Sequence, residues 1–150
     1  MAELDPQIFE TLRQYLPEGL SLAIPPPVFL ELGGRFTEYG ESKTLKAVYP
    51  ALQKFTNPMG SVQGGVVGAA LDANYGSLAF IATRIPHVTV TMDTTFIRPI
   101  LADNRDYIVE VRIRAQTRTL LFMDGEVYTQ DGKLAATSTT TMAALRPRSE

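Results

Sequence analysis

A chain of 150 residues and 16.5 kDa, 45% apolar and 20% charged, is the right length for one domain with a sizeable core. A formal net charge of -2 gives it no electrostatic grip on nucleic acid or on an anionic membrane, so small molecules or protein are the expected partners. The lack of cysteine excludes disulfides and thiolate chemistry, His87 is the single histidine, and no phosphate-binding glycine loop, dinucleotide fingerprint or serine elbow is present.

The first 27 residues are expected to form a helical extension to a domain spanning 28–146. Within it, residues 5–16 suit a short helix, with Asp5 as N-cap, Pro6 at the first helical position and Ile8, Leu12 and Leu16 on one face. This acidic, amphipathic start lacks the basic residues and apolar run of a secretion signal, which makes a cytoplasmic protein the expectation. After Pro25–Pro27, "VFLELGGRFTEYG" reads as a strand bent or bulged at Gly33–Gly34, and "TLKAVYP" as its hairpin partner. From Ser61, a candidate N-cap, to about Ala82, the length and composition are those of a helix of ~30 Å, apolar almost all round.

Beyond Pro86 the chain turns rich in threonine, valine and isoleucine, predicting four strands in "HVTVTMDTTFI", "DYIVEVRIRAQT", "TLLFMDGEVYT" and "KLAATSTTTMAAL". Strict alternation in the first puts Val88, Val90, Met92 and Phe96 on one face and Thr89, Thr91, Asp93 and Thr95 on the other. Asp124–Gly125 and Asp131–Gly132 are too close for both to turn. Asp131–Gly132 is the expected hairpin, because it separates the longer runs. Four strands joined by short turns imply an antiparallel sheet, and the apolar helix must cover one of its faces. The fold class is therefore α+β. A membrane span over 58–82 is disfavoured by its glycines and by Gln63, Asp72 and Asn74.

Asp72 is the only charged residue between Lys54 and Arg84. A carboxylate isolated in an apolar helix needs a partner, a proton or a task. Gly64–Gly65 at the helix start exposes amide donors at the positive end of the helix dipole, which suits a developing oxyanion; alternatively Gly60, Gly64 and Gly68 only permit close packing. Asp72 lies ~12 Å farther along the axis than Gly64. If both belong to one site, the carboxylate must come from an antiparallel second copy of the helix in a symmetric dimer. Otherwise Asp72 makes a structural hydrogen bond or an ion pair with a strand arginine.

The pattern Asn57-x2-Gly60-x2-Gln63-Gly64-Gly65-x6-Asp72-x3-Gly76, followed by "TVTMDTTFIRP" and "TRTLLF…DGKLAATST", resembles the hotdog-fold acyl-CoA thioesterases of the phenylacetate-degradation (PaaI-like) type across about residues 45–145. The resemblance implies a long central helix wrapped by a curved antiparallel sheet. It also implies that the Gly64 amide, with Gly65, polarises a thioester carbonyl, while Asp72 of the opposite subunit acts as base or nucleophile. Asn57 would position water or the acyl group, and Thr89 would orient the attacking water. The family usually has histidine where this chain has Gln63, and glutamine can hydrogen-bond a carbonyl but cannot titrate. Arg98 and Arg118 are candidates for the coenzyme A phosphates, whereas Arg114 and His87 read as ordinary strand-edge and loop residues.

These implications amount to hydrolysis of a small or medium acyl-CoA thioester by a homodimer or a dimer-of-dimers tetramer, with no metal or other cofactor. Two rivals remain. A non-catalytic acyl-CoA-binding hotdog protein is kept open by Gln63, and a hotdog hydratase or dehydratase would need an aspartate–histidine pair that only His87 could complete.

Overall fold

Residues 18, 22–23, 25–40 and 43–145 are described by a computed structural model. The helix expected over 5–16 lies outside them. The first described element is a helix, α1 (Pro27–Glu31), where a strand was expected. Pro27 occupies its first turn with φ already set, and the pair Phe29 and Leu32, three apart, turns into the core. So short an apolar run fits either period. Gly33, at φ +73°, ends the turn, and a Cβ on Gly34 would lie 2.6 Å from the Phe29 ring. The glycine pair is thus a tight helix-to-strand turn. The bulge in the following strand comes later, between Phe36 and Glu38.

The strands are β1 (Arg35–Gly40), β2 (Thr44–Pro50), β3 (His87–Phe96), β4 (Asp106–Gln116), β5 (Leu120–Tyr128) and β6 (Leu134–Ala144). They form one sheet in the order β1-β2-β4-β5-β6-β3, with every pairing antiparallel. Asp131–Gly132 is the β5–β6 turn, as expected, with Gly132 at φ +82°, and Gly125 lies inside β5.

The long helix α2 (Gly64–Thr83) crosses one face of this sheet, as the apolar pattern required. It has the length and hydropathy of a bilayer span, but about two-thirds of it is buried in the fold. It begins three residues after the expected N-cap, because Ser61 and Val62 are held extended. Ser61 bridges to Leu101, Val62 N–H donates to the Ile100 carbonyl at 2.8 Å, and Gln63 occupies the N-cap position without a side-chain capping bond.

Two contacts seat α2 on the sheet. Asn74, fully buried, accepts a 2.6 Å hydrogen bond from the Tyr49 hydroxyl on β2 and donates to the Val109 carbonyl on β4 at 3.2 Å. On either side of Asn74 along the helix, Leu71 and Tyr75 press on Gly125, where a Cβ would sit 2.6 Å from the Tyr75 hydroxyl oxygen and 2.8 Å from Leu71 Cδ2. Burial pushes the Tyr75 phenol up to about 12, so it stays protonated there.

The alternation expected for β3 does not hold through the strand. A bulge between Thr89 and Thr91 makes Val90 an extra residue, so Thr89 pairs with Met142 and Met92 with Thr140, both on the helix-facing side. Thr89 therefore shares a face with Met92 and Phe96 instead of with Thr91 and Asp93. A period of two cannot register such a slip.

Gly125→Ala should cost about 1–3 kcal/mol, as overpacking of a filled core does. Adding Tyr75→Phe, which removes the nearest atom, should recover part of the loss. Urea denaturation of the single and double variants checks both.

Candidate active site

The loop before α2 is built on Asn57. Its side-chain oxygen accepts from the amides of Met59 at 3.0 Å and Ser61 at 3.2 Å and from the Ser61 hydroxyl at 3.3 Å, so that oxygen is committed to shaping the loop. Only its amide nitrogen is left for a ligand. Val66 and Val67 donate back to the Gln63 carbonyl, and Gln63 itself donates to Phe55. Gly64 and Gly65, among the first amides of the helix, have no acceptor among the described residues.

Asn57, Gly64, Phe96, Arg98 and Ile100 are among the residues that surround a cavity of about 310 Å³. Phe96 covers the glycine: a Cβ on Gly64 would lie 3.3 Å from its ring. Nothing in the strand pattern announces this contact, since strict alternation without the bulge carries no information about which residue of β3 meets which turn of α2. Gln63 is exposed at the helix start and Gly65 is exposed beside it.

Two turns along α2, the Thr89 hydroxyl donates a 2.6 Å hydrogen bond to Asp72 Oδ1. This answers what holds the isolated carboxylate: it is exposed on the single chain, with no cation paired to it among the described residues. The bulge at Val90 makes the bond possible by turning Thr89 toward the helix. Asp72 and Thr89 are thus joined, but they stand ~12 Å along the helix from Gly64.

Arg98 lines the Gly64 cavity, is exposed, and enters no ion pair among the described residues. Its backbone amide donates to Ala135 at the start of β6, at 3.2 Å. Arg118 sits in the β4–β5 turn, beside Thr119, whose carbonyl accepts from Ala144 at the other end of β6. The two arginines therefore lie ~30 Å apart along one chain, the length of nine strand residues. They cannot hold one small anion together within a single copy. His87 is engaged locally, its Nδ1 2.7 Å from the Ile85 carbonyl. Arg114 pairs with Asp124 at 3.3 Å on the sheet face away from the helix. Among the described residues no cluster of three potential metal ligands occurs.

The arrangement offers helix-terminal amides in a small apolar cavity and, displaced along the same helix, a carboxylate oriented by a hydroxyl. The sequence profile of the Thioesterase superfamily matches residues 59–136, which include both. Among solved structures, a phenylacetic acid degradation-related protein of Ralstonia eutropha is 31% identical over 91% of this chain and 98% of its own, with a TM-score of 0.75. The PaaI protein of the Escherichia coli phenylacetic acid degradation operon is 16% identical over 79% and 83% of the two chains, with a TM-score of 0.73. A hypothetical thioesterase protein of Streptococcus pneumoniae, solved with coenzyme A, is 17% identical over 77% and 88%, with a TM-score of 0.70. No curated protein sequence matches the chain. The profile covers more than half of the sequence and the Ralstonia protein covers nearly all of it, and the chain belongs to the hotdog-fold thioesterase superfamily.

Proposed function

We propose that the protein hydrolyses a small or medium acyl-CoA thioester to the free acid and coenzyme A, at sites shared between two copies of a cytoplasmic homodimer or dimer of dimers. The observation that carries this reading is the course of α2 along β3. Gly64 lies by Phe96, Gly68 by Met92 and Asp72 by Thr89, so helix and strand run past each other in opposite directions. β3 is one edge of the sheet, and its residues Val88, Val90 and Phe96 are 45%, 58% and 54% exposed.

A second copy added antiparallel to that edge by a two-fold rotation brings its own Thr89 end to the first copy's Phe96 end. Its Asp72 then approaches the Gly64 cavity, which no Asp72 can do within one chain. The same operation covers an edge strand ten residues long that exposes Val88, Val90 and Phe96, an unpaired edge of the kind proteins cover or blunt. It also gives Arg118 a way to reach the other copy's ligand.

In this site the Gly64 amide, with Gly65, polarises the thioester carbonyl, and Asp72 of the second copy acts as base on water or as nucleophile. Thr89 donates to one carboxylate oxygen and leaves the other to face the reaction. As water adds to the carbonyl carbon, the proton passes to Asp72 and the oxyanion takes the helix-terminal N–H groups. Collapse then expels a thiolate, which with a parent pKa of ~8.5 needs little help from an acid. Gln63 supplies a hydrogen bond at most, so proton transfer falls on Asp72. The Asn57 amide nitrogen orients water or the acyl group, and Arg98 takes a phosphate of coenzyme A. Support comes from the family itself and from the relative solved with coenzyme A.

Light scattering at micromolar concentration should give a mass of at least twice 16.5 kDa. A stable monomer would remove the shared site. Asp72→Asn should lower thiol release from acyl-CoA by ~10²-fold or more, the scale of a lost acid–base group. Its stability should stay within about 0.5 kcal/mol of the parent, as for an exposed side chain. A non-catalytic binding protein would show no turnover to lose. Thr89→Val, which keeps the shape and deletes the donor to Asp72, should lower kcat by about tenfold, the equivalent of one hydrogen bond to a charged group. A stopped assay of free thiol across several acyl-CoA esters reads all three proteins.

A further inference from the structure

The Gly64 cavity does not end at Arg98. A second cavity, of about 380 Å³, shares Arg98, Pro99 and Ile100 with it and continues to the β5–β6 turn at Thr129, Asp131 and Lys133. The two make one groove from the helix-terminal amides to that turn.

The charges along the groove are unevenly committed. Asp103 is held by the Arg105 guanidinium at 2.7 Å and Asp106 by Arg35. Asp131 accepts from the Thr129 hydroxyl, which keeps its carboxyl below the ordinary range, and it meets Lys133 Nζ only at 3.5 Å. Both of those side chains are more than half exposed, and a pair of that kind holds its lysine weakly. Arg98, between the two cavities, enters no ion pair among the described residues. The wall offers one uncommitted guanidinium and one loosely held ammonium.

Lys133 is also well placed by its backbone. The Thr129 amide donates to the Lys133 carbonyl across the turn at 2.9 Å, the Lys133 amide donates to the Thr129 hydroxyl at 3.1 Å, and Gly132 closes the turn at positive φ. The turn thus fixes where the side chain leaves the backbone, and the flexible four-carbon stem lets the ammonium reach along the groove.

From this groove we propose that Lys133 is a second cation for the phosphorylated end of the thioester substrate, acting with Arg98, so that the substrate class is set by its phosphates as well as by its acyl group. The proposal rests on the thioesterase reading of the Gly64 cavity. With the carbonyl at Gly64, the carrier arm follows the shared wall Arg98–Ile100, and its phosphates lie between Arg98 and Lys133. Arg98 suits a bidentate contact and Lys133 a point charge.

The test compares one acyl group on two carriers, coenzyme A and N-acetylcysteamine, which has no phosphate. Lys133→Ala and Lys133→Glu should lower the ratio of kcat/KM for the coenzyme A ester to that for the N-acetylcysteamine ester by about tenfold or more, chiefly through KM. Lys133→Arg should restore most of it, and added salt should narrow the difference. Arg114→Ala, on the far face of the sheet, should leave the ratio as it is. An unchanged ratio in Lys133→Glu would overturn the proposal. Calorimetry with coenzyme A alone gives a second reading without turnover: binding should weaken by a similar factor in Lys133→Glu, and equal affinity of parent and variant, or no binding by the parent, would also overturn it. If coenzyme A binds in the expected order but neither ester is hydrolysed by the parent, the groove assignment stands and the hydrolase reading falls.

Discussion

The rotation of α2 about its own axis decides where every candidate group lies, and the buried amide of Asn74 sets that rotation. Its oxygen is taken by Tyr49 on β2 and its nitrogen by Val109 on β4, so the helix is tied at one point to two neighbouring strands. Burial raises the Tyr49 phenol well above its ordinary value, which keeps it a donor. Asp72, two residues earlier, is turned by ~200° around the helix from Asn74. Burying one pushes the other out toward the sheet edge. A polar residue in the core thus keeps a carboxylate out of it, and the desolvation cost that an inward Asp72 would carry is avoided.

The same rotation aligns Gly64, Gly68 and Asp72 along β3. The small residues bring helix and strand close, with Phe96 over the first glycine and Met92 over the second. Where the row reaches Asp72, the strand answers with a hydroxyl in place of an apolar side chain. Close packing and chemistry are therefore not competing explanations of the glycines. The packing that fits α2 onto the edge strand also carries amide donors to one end of the row and an oriented carboxylate to the other.

Much of this was legible in the sequence, for identifiable reasons. Long, strongly patterned segments such as Tyr107, Val109, Val111 and Ile113 against Ile108, Glu110, Arg112 and Arg114 announce a half-covered sheet, and the alternation picks the inward set, with Tyr107, Val109 and Val111 buried and Ile113 partly so. The composition of α2 and the Asp131–Gly132 turn were equally clear. What stayed hidden depends on contacts between distant residues. The helix Pro27–Glu31 is stabilised by Phe29 stacking on Phe36, which five residues of local pattern cannot reveal. Ser61 has the chemistry of an N-cap, but Asn57 and Leu101 hold it extended. Asp72 stands out as the one charge in an apolar helix and Thr89 through resemblance to the family; that they touch follows from one inserted residue at Val90, and alternation taken alone would have kept them apart.

That inserted residue also restricts which strand can lie against β3. A long unpaired edge is a template for uncontrolled stacking when it is straight, because each new strand presents an edge like the last. At Val90 the edge kinks and its twist increases, so a flat extended segment can match only one side of the kink at a time. A neighbour bearing the same kink at the symmetric position can follow it throughout, and once paired the two copies leave no further β3 edge exposed. One extra residue thus narrows what can pair with β3, and the slip that turns Thr89 toward Asp72 also makes the edge hard for foreign strands to copy.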